Sequence, residues 1–113
     1  MPHDDDTRAR AHEIFDPVAA RYLGLSGVDI GPMFGSEGLR IRSKVFAFVG
    51  YRGSLVVKLP AARTDELVAE GSVERMRMRD RPMREWVLVG PDRAPLWELL
   101  TAEAFAYLDE ITP

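Results

Sequence analysis

The chain contains no cysteine. That excludes disulfides, thiolate nucleophiles and cysteine metal sites, and it fits a reducing compartment. Histidine occurs only twice, as His3 and His12, short of the three or four converging ligands that a zinc centre needs. No serine has a histidine in view that would make it a nucleophile. No stretch approaches the roughly 20 consecutive apolar residues that span a bilayer. The N-terminus, MPHDDDTRAR, is acidic and polar, the reverse of a secretory signal. The expectation is a cytoplasmic protein with no membrane contact, no metal and no cofactor.

What is present is ordinary for a globular domain: 46% hydrophobic and 29% charged residues in 113. A chain of this size buries about 60% of its unfolded surface and builds one core without staples. A single domain over residues 1–113 is expected, with residues 1–5 frayed. The net charge of −3 conceals an asymmetry. Between Phe34 and Val89 there are 11 Lys/Arg against 7 Asp/Glu, and the flanks hold 4 against 11. A basic middle is a modest pointer to an anionic partner.

Periodicity gives the elements. Asp4, Asp5 and Asp6 suit a helix N-terminus, and Ala11, Ile14, Phe15, Val18, Ala19 and Tyr22 follow at helical spacing. Asp16-Pro17 predicts a kink or a restart there, and Gly24 a stop. The stretch LSGVDIGP reads as a loop. Leu39–Ile41, Val45–Val49 and Ser54–Leu59 read as an antiparallel meander, its middle strand shielded on both sides, with a Gly50-Tyr51-Arg52-Gly53 connection before the third. Pro60 opens a helix that Gly71 closes. Glu74–Met78 and Glu85–Val89 are two more strands. Pro95 opens a last helix, with Leu96, Trp97, Leu100, Ala104, Tyr107, Leu108 and Ile111 on one face. The order α-β-β-β-α-β-β-α defines an α+β fold, an antiparallel sheet with helices packed on it.

Four segments in this order, PMFGSEGLRI, KVFAFV, GSLVVKLPAARTDELVAEG and RPMREWV, resemble the N-terminal-type domain of the TfoX/Sxy family and, more distantly, the MmcQ/YjbR proteins. The resemblance implies a secretion chaperone-like α+β fold and a non-enzymatic regulatory or interaction role. In two-domain members that role is linked to competence and DNA uptake. The residues carrying the likeness are Met33, Phe34, Gly35, Gly38, Lys44, Lys58, Leu59, Pro60, Pro82, Met83 and Trp86, read as structural. Two departures stand out: Ser43-Lys44 replaces a common Gly-Lys, and the segment before Arg81-Pro82-Met83 is richer in arginine. No catalytic residue is implied.

Several constellations carry little chemistry. Gly35 and Gly38 in the Met33–Gly38 segment precede a strand, where a phosphate cradle needs a helix N-terminus. His12 and Asp16 form a solvated i, i+4 pair. Asp65-Glu66 and Asp109-Glu110 are neighbours on helices and diverge by about 100°. A small enzyme using acids brought together only by folding remains a further reading.

The segment RMRMRDRPMREW is the best candidate for a site. Alternation in a strand would send Arg75, Arg77 and Arg79 to one face and Met76 and Met78 to the core, with like side chains about 7 Å apart. Pro82 would break the ladder, and Arg81 and Arg84 would extend the patch. Arginine forks suit phosphates, and Tyr51 and Trp86 are the aromatics placed to stack on bases. The competing reading is a solvated strand face whose arginines are quenched by Glu74, Asp80 and Glu85. The methionines, with Phe34 and Trp86, offer a third: an apolar surface for a protein partner or a homodimer.

Overall fold

The computed structural model describes residues 4–33, 36–50 and 53–113. The elements are α1 (Asp4–Ala20), β1 (Val28–Met33), β2 (Ser36–Ile41), β3 (Lys44–Val49), β4 (Leu55–Lys58), α2 (Ala61–Glu70), β5 (Glu74–Met78), β6 (Arg81–Val89) and α3 (Ala94–Ile111), with a 3-10 turn at Pro91–Arg93 before α3. The strands form one antiparallel sheet in the order β1-β2-β3-β4-β6-β5. The expected α+β order is kept, with one strand added.

The added strand is β1. Gly31 and Pro32 suppress strand signals, yet Val28 to Met33 pair residue for residue with Ile41 to Ser36. At the sheet margin a proline is tolerated because one side of the strand has no ladder. Of the two outcomes expected at Asp16-Pro17, a restart does not occur: helix α1 runs on through Pro17. The carbonyl that Pro17 leaves without a helical partner belongs to exposed Glu13, where water satisfies it. Burial of Val18 and Ala19 holds the last turn in place. Helix α2 matches expectation: Pro60 precedes it, and Gly71 ends it at φ 80 in the left-handed region, where a glycine is free of strain.

All three helices feed one core. Ala11, Phe15 and Ala19 of α1, Leu67 of α2 and Trp97, Leu100, Ala104 and Leu108 of α3 pack on Leu39, Ile41, Leu55, Val57, Val87 and Val89 of the sheet. Trp97 is fully buried, and its indole N–H donates to the Gly90 carbonyl at 3.0 Å. Ile111, placed by periodicity on the inner face of α3, is 48% exposed. The buried stripe of the helix ends with Leu108, one turn earlier.

Two register shifts set the faces of the sheet. At the first, Leu39 pairs with Ala47 and Arg40 with Val45, which leaves Phe46 as an extra residue. Phe46 and Ala47 consequently both enter the core cluster, and Phe48 turns to the other face. Since Val57, Val87 and Val89 face the core, alternation sends Val56, Lys58, Trp86 and Leu88 away from it. Phe48 meets Trp86 there edge to face, with ring centroids 6.1 Å apart.

The second shift lies in the β5–β6 hairpin. Arg75 pairs with Val87, but Arg77 pairs with Pro82. One residue of β5, Met76, therefore lies opposite residues 83–86 of β6. Beyond the shift the hairpin closes through Arg79 and Asp80, at φ 52 and 65. That is a two-residue turn with both residues in the left-handed region, and its twist matches the right-handed twist of the strands. Pro82 does not end the strand. Pairing of β6 with β4 stops at Trp86, so at Pro82 one side of β6 is free and needs no N–H.

Candidate functional site

The surplus residues of β6 have to bow away from β5, and a concavity opens where they do. It encloses about 780 Å³ and is lined by Lys58 at the end of β4, Ala61 at the start of α2, and Met78, Arg79 and 81–86 of the hairpin. The charged lining is Lys58, Arg79, Arg81 and Arg84 against Glu85, a balance of +3. The apolar lining is Ala61, Met78, Pro82, Met83 and Trp86. The hairpin's long, open shape follows from the register shift, which alternation alone does not reveal.

The candidate arginines separate into two groups. Arg75 is spent on structure: its guanidinium donates to Asp65 of α2 at 2.5 Å and to the Arg84 carbonyl at 3.3 Å, clamping the bowed strand to the helix. Arg77, Arg79, Arg81 and Arg84 are exposed and form no ion pair among the described residues. Elsewhere four arginines are paired, while exposed Arg10 and Arg93 form no ion pair among the described residues. Arg21 pairs with Glu98, Arg40 with Asp29, Arg42 with Asp109, and Arg63 with Glu66 and Glu103. Arg40 holds the Asp29 carboxyl below its ordinary range through a hydrogen bond.

The expected quenching by Glu74, Asp80 and Glu85 is not what the geometry shows. Glu85 is engaged elsewhere. It accepts a hydrogen bond from the Tyr107 hydroxyl of α3 and lies 3.8 Å from the Lys58 ammonium. That contact, followed by burial, pushes Tyr107 up to about 12. Glu74 and Asp80 form no ion pair among the described residues.

The methionines depart from expectation as well. Met78 is 38% exposed and Met76 is half-buried, because the shift at Met76 disrupts the alternation that would have turned both inward. Arg79 sits in the turn and not on the strand. Trp86 is half-buried, with Phe48 against one side and the Lys58 ammonium 5.8 Å from its ring centroid. The cluster of Lys58, Glu85 and Tyr107, drawn from three elements, had no signal in the sequence beyond the unexplained Glu inside RPMREWV.

The other residues singled out in the sequence fall into place as structure. Gly38 faces Phe48 across β2–β3, where a side chain would press on Val45 and Phe48. Lys44 begins β3, Leu59 is buried and bonds to the Glu85 carbonyl, and Pro60 precedes α2. Met33 ends β1. Phe34, Gly35, Tyr51 and His3 lie outside the described residues. His12 and Asp16 form the expected pair at 2.9 Å on α1. Asp109 binds the Arg42 guanidinium, and Asp65 binds that of Arg75. Among the described residues no three histidine or carboxylate side chains gather to hold a metal, and no helix is long and apolar enough to cross a membrane.

Fold and groove together define an α+β domain with a cationic, aromatic-floored cleft at the bowed end of its sheet. The model of the Luciferase domain family matches residues 43–102, just over half of the chain. The chain belongs to that family, which is YjbR/MmcQ-like; the match does not extend to TfoX/Sxy. Every residue lining the groove lies inside the matched segment. No curated protein matches the chain.

Proposed function

We propose that the protein is a non-enzymatic, cytoplasmic regulatory domain that binds nucleic acid through the arginines of its β5–β6 hairpin. One observation carries this reading. Arg77, Arg79, Arg81 and Arg84 are clustered and exposed on one hairpin with no ion pair among the described residues, while Arg21, Arg40, Arg42, Arg63 and Arg75 each have a carboxylate. Clustered guanidiniums repel one another, and a row of phosphates relieves that repulsion with bidentate hydrogen bonds. On this reading the likeness to TfoX/Sxy domains extends from fold to regulatory role.

Fluorescence anisotropy with labelled DNA and RNA, repeated as salt rises, tests the proposal. Four phosphate contacts should weaken binding roughly 50- to 150-fold between about 50 and 200 mM salt. Arg77→Glu and Arg79→Glu should each weaken binding and flatten that slope. No binding at low salt, or binding indifferent to both reversals, rejects the proposal.

A second reading is enzymatic, as the word luciferase in the family's description suggests. The observation that favours it is Glu85, held between Lys58 and Tyr107 in the wall of a ligand-sized cleft. On that reading Glu85 is the group that would exchange a proton with a bound organic substrate.

A further inference from the structure

We infer that the groove reads single-stranded nucleic acid by taking one unstacked base onto Trp86 while the hairpin arginines hold the flanking phosphates. This rests on the nucleic-acid reading above and adds to it the form of the polymer and the residue that recognises it.

The lining is the first argument. A surface that only tracks phosphates is polar throughout, but half of this groove is apolar: Ala61, Met78, Pro82, Met83 and Trp86. Its ligand has both anionic groups and a flat apolar part. Methionine thioethers suit the edge of a base, being flexible and polarizable. The volume, about 780 Å³, far exceeds what a lone phosphate needs and falls among pockets that take whole organic ligands.

The state of Trp86 is the second argument. Phe48 braces the ring from one side at 63° between planes, so the indole keeps a fixed orientation. What lies over the ring is the ammonium of Lys58, 5.8 Å from the centroid. A lysine is a mobile occupant. Its flexible stem lets the ammonium swing to a phosphate and leave the ring to a base, so that one movement makes two contacts. Glu85, 3.8 Å from the ammonium, supplies its resting place when no strand is bound.

Duplex DNA does not fit this arrangement, because its bases are stacked on each other and turn no face outward. A free nucleotide does not exhaust it either. Arg77 lies on the hairpin outside the groove lining, so the positive track continues past the space that one nucleotide fills. A strand running through the groove and along the hairpin uses both.

The test uses the full chain and five probes: oligothymidylate and oligouridylate of about ten nucleotides, an abasic strand of the same length, a duplex, and uridine triphosphate. The expected result is that the DNA or RNA single strand binds at least tenfold tighter than the abasic strand and the duplex at equal salt, and quenches tryptophan fluorescence. Loss of one base–ring stack weakens binding by about 5- to 150-fold, a range that contains the tenfold expected here. Trp97 is fully buried, so the quenching should vanish in Trp86→Phe, which keeps a ring and retains most of the affinity. Trp86→Leu, checked for folding by circular dichroism, should bind the normal strand as weakly as wild type binds the abasic one. The two polymer arms decide whether the strand is DNA or RNA.

The inference is overturned if duplex or abasic strand binds as tightly as the single strand, or if Trp86→Leu folds and loses nothing. Saturation by uridine triphosphate at the strand's affinity overturns it in favour of a mononucleotide site. If duplex wins and the arginine reversals still weaken binding, nucleic-acid binding stands and only the single-strand reading falls. If no polymer binds at all, both fall.

Discussion

Replacing Thr101 by valine should make the protein more stable. Thr101 lies in α3, is fully buried, and its hydroxyl has no hydrogen-bond partner among the described residues. Threonine and valine are both β-branched, nearly equal in volume and close in helix propensity. The substitution therefore isolates the hydroxyl. A buried polar group without a partner costs about 1–3 kcal/mol, and a single neutral hydroxyl falls in the lower half of that range. Unfolding entropy of about 2.1 cal/mol/K per residue gives a 113-residue chain roughly 240 cal/mol/K, so each kcal/mol moves the midpoint by about 4 °C. Thr101→Val should raise Tm by about 4–8 °C in calorimetry. Thr101→Ser supplies the opposite sign: it keeps the orphan hydroxyl and removes a buried methyl, which costs about 1 kcal/mol. A fall in Tm for the valine variant would show that the hydroxyl has a partner, and the reasoning would be refuted.

Two further outcomes follow from particular contacts. Arg42 and Ser43 form the β2–β3 turn at φ 46 and 74, both left-handed, and Arg42 is held there by hydrogen bonds to the Asp109 and Thr112 carbonyls at the end of α3. Ser43→Gly relieves strain of about 1 kcal/mol and costs part of it in unfolded-state entropy, so thermal denaturation should show a gain of about 2 °C; a loss would mean that the serine side chain contributes. Tyr107 ionises near pH 12 in the folded protein against an ordinary 10.0, owing first to Glu85. A folded pKa raised above the unfolded one means that this stability is fully present below pH 10 and is lost as pH rises toward 12. Glu85→Gln should bring the Tyr107 titration down toward 10, read from tyrosinate absorbance with Tyr107→Phe as the reference; an unmoved titration would show that the carboxylate is not the cause.

Much of the fold was legible because it rests on local rules. The stripe of α1, the Gly71 cap, the shielded β3 and both ends of β5 follow from periodicity and backbone preference. What escaped depends on partners distant in the chain. β1 is a strand because β2 lies beside it, and no property of VDIGPM announces that neighbour. Arg75 looked like the first member of a binding row, but Asp65 of α2 takes it, a contact that exists only after α2 packs on the hairpin. Alternation places Met78 in the core only if it continues through Met76, and the register shifts there.

The segment RPMREWV shows how shape and chemistry share one stretch of sequence. Read as a motif, it identifies a fold, and its residues seem to serve packing. In the structure those residues are the excess length of β6 opposite a single residue of β5. Excess length in one strand has to bow, and the bow is the wall of the groove. The proline fits because one side of the strand is free, Glu85 ties the bow to α3 through Tyr107, and Trp86 ends it where pairing with β4 resumes. Shortening β6 by deleting Met83, Arg84 and Glu85 would leave Trp86 alone opposite Met76, let the hairpin pair regularly and erase the cleft while leaving Arg77 and Arg79 in place. The arginines that face outward are therefore separable from the cavity beside them. Charge on the hairpin and shape in its bow are two determinants, and only the first is written in the composition.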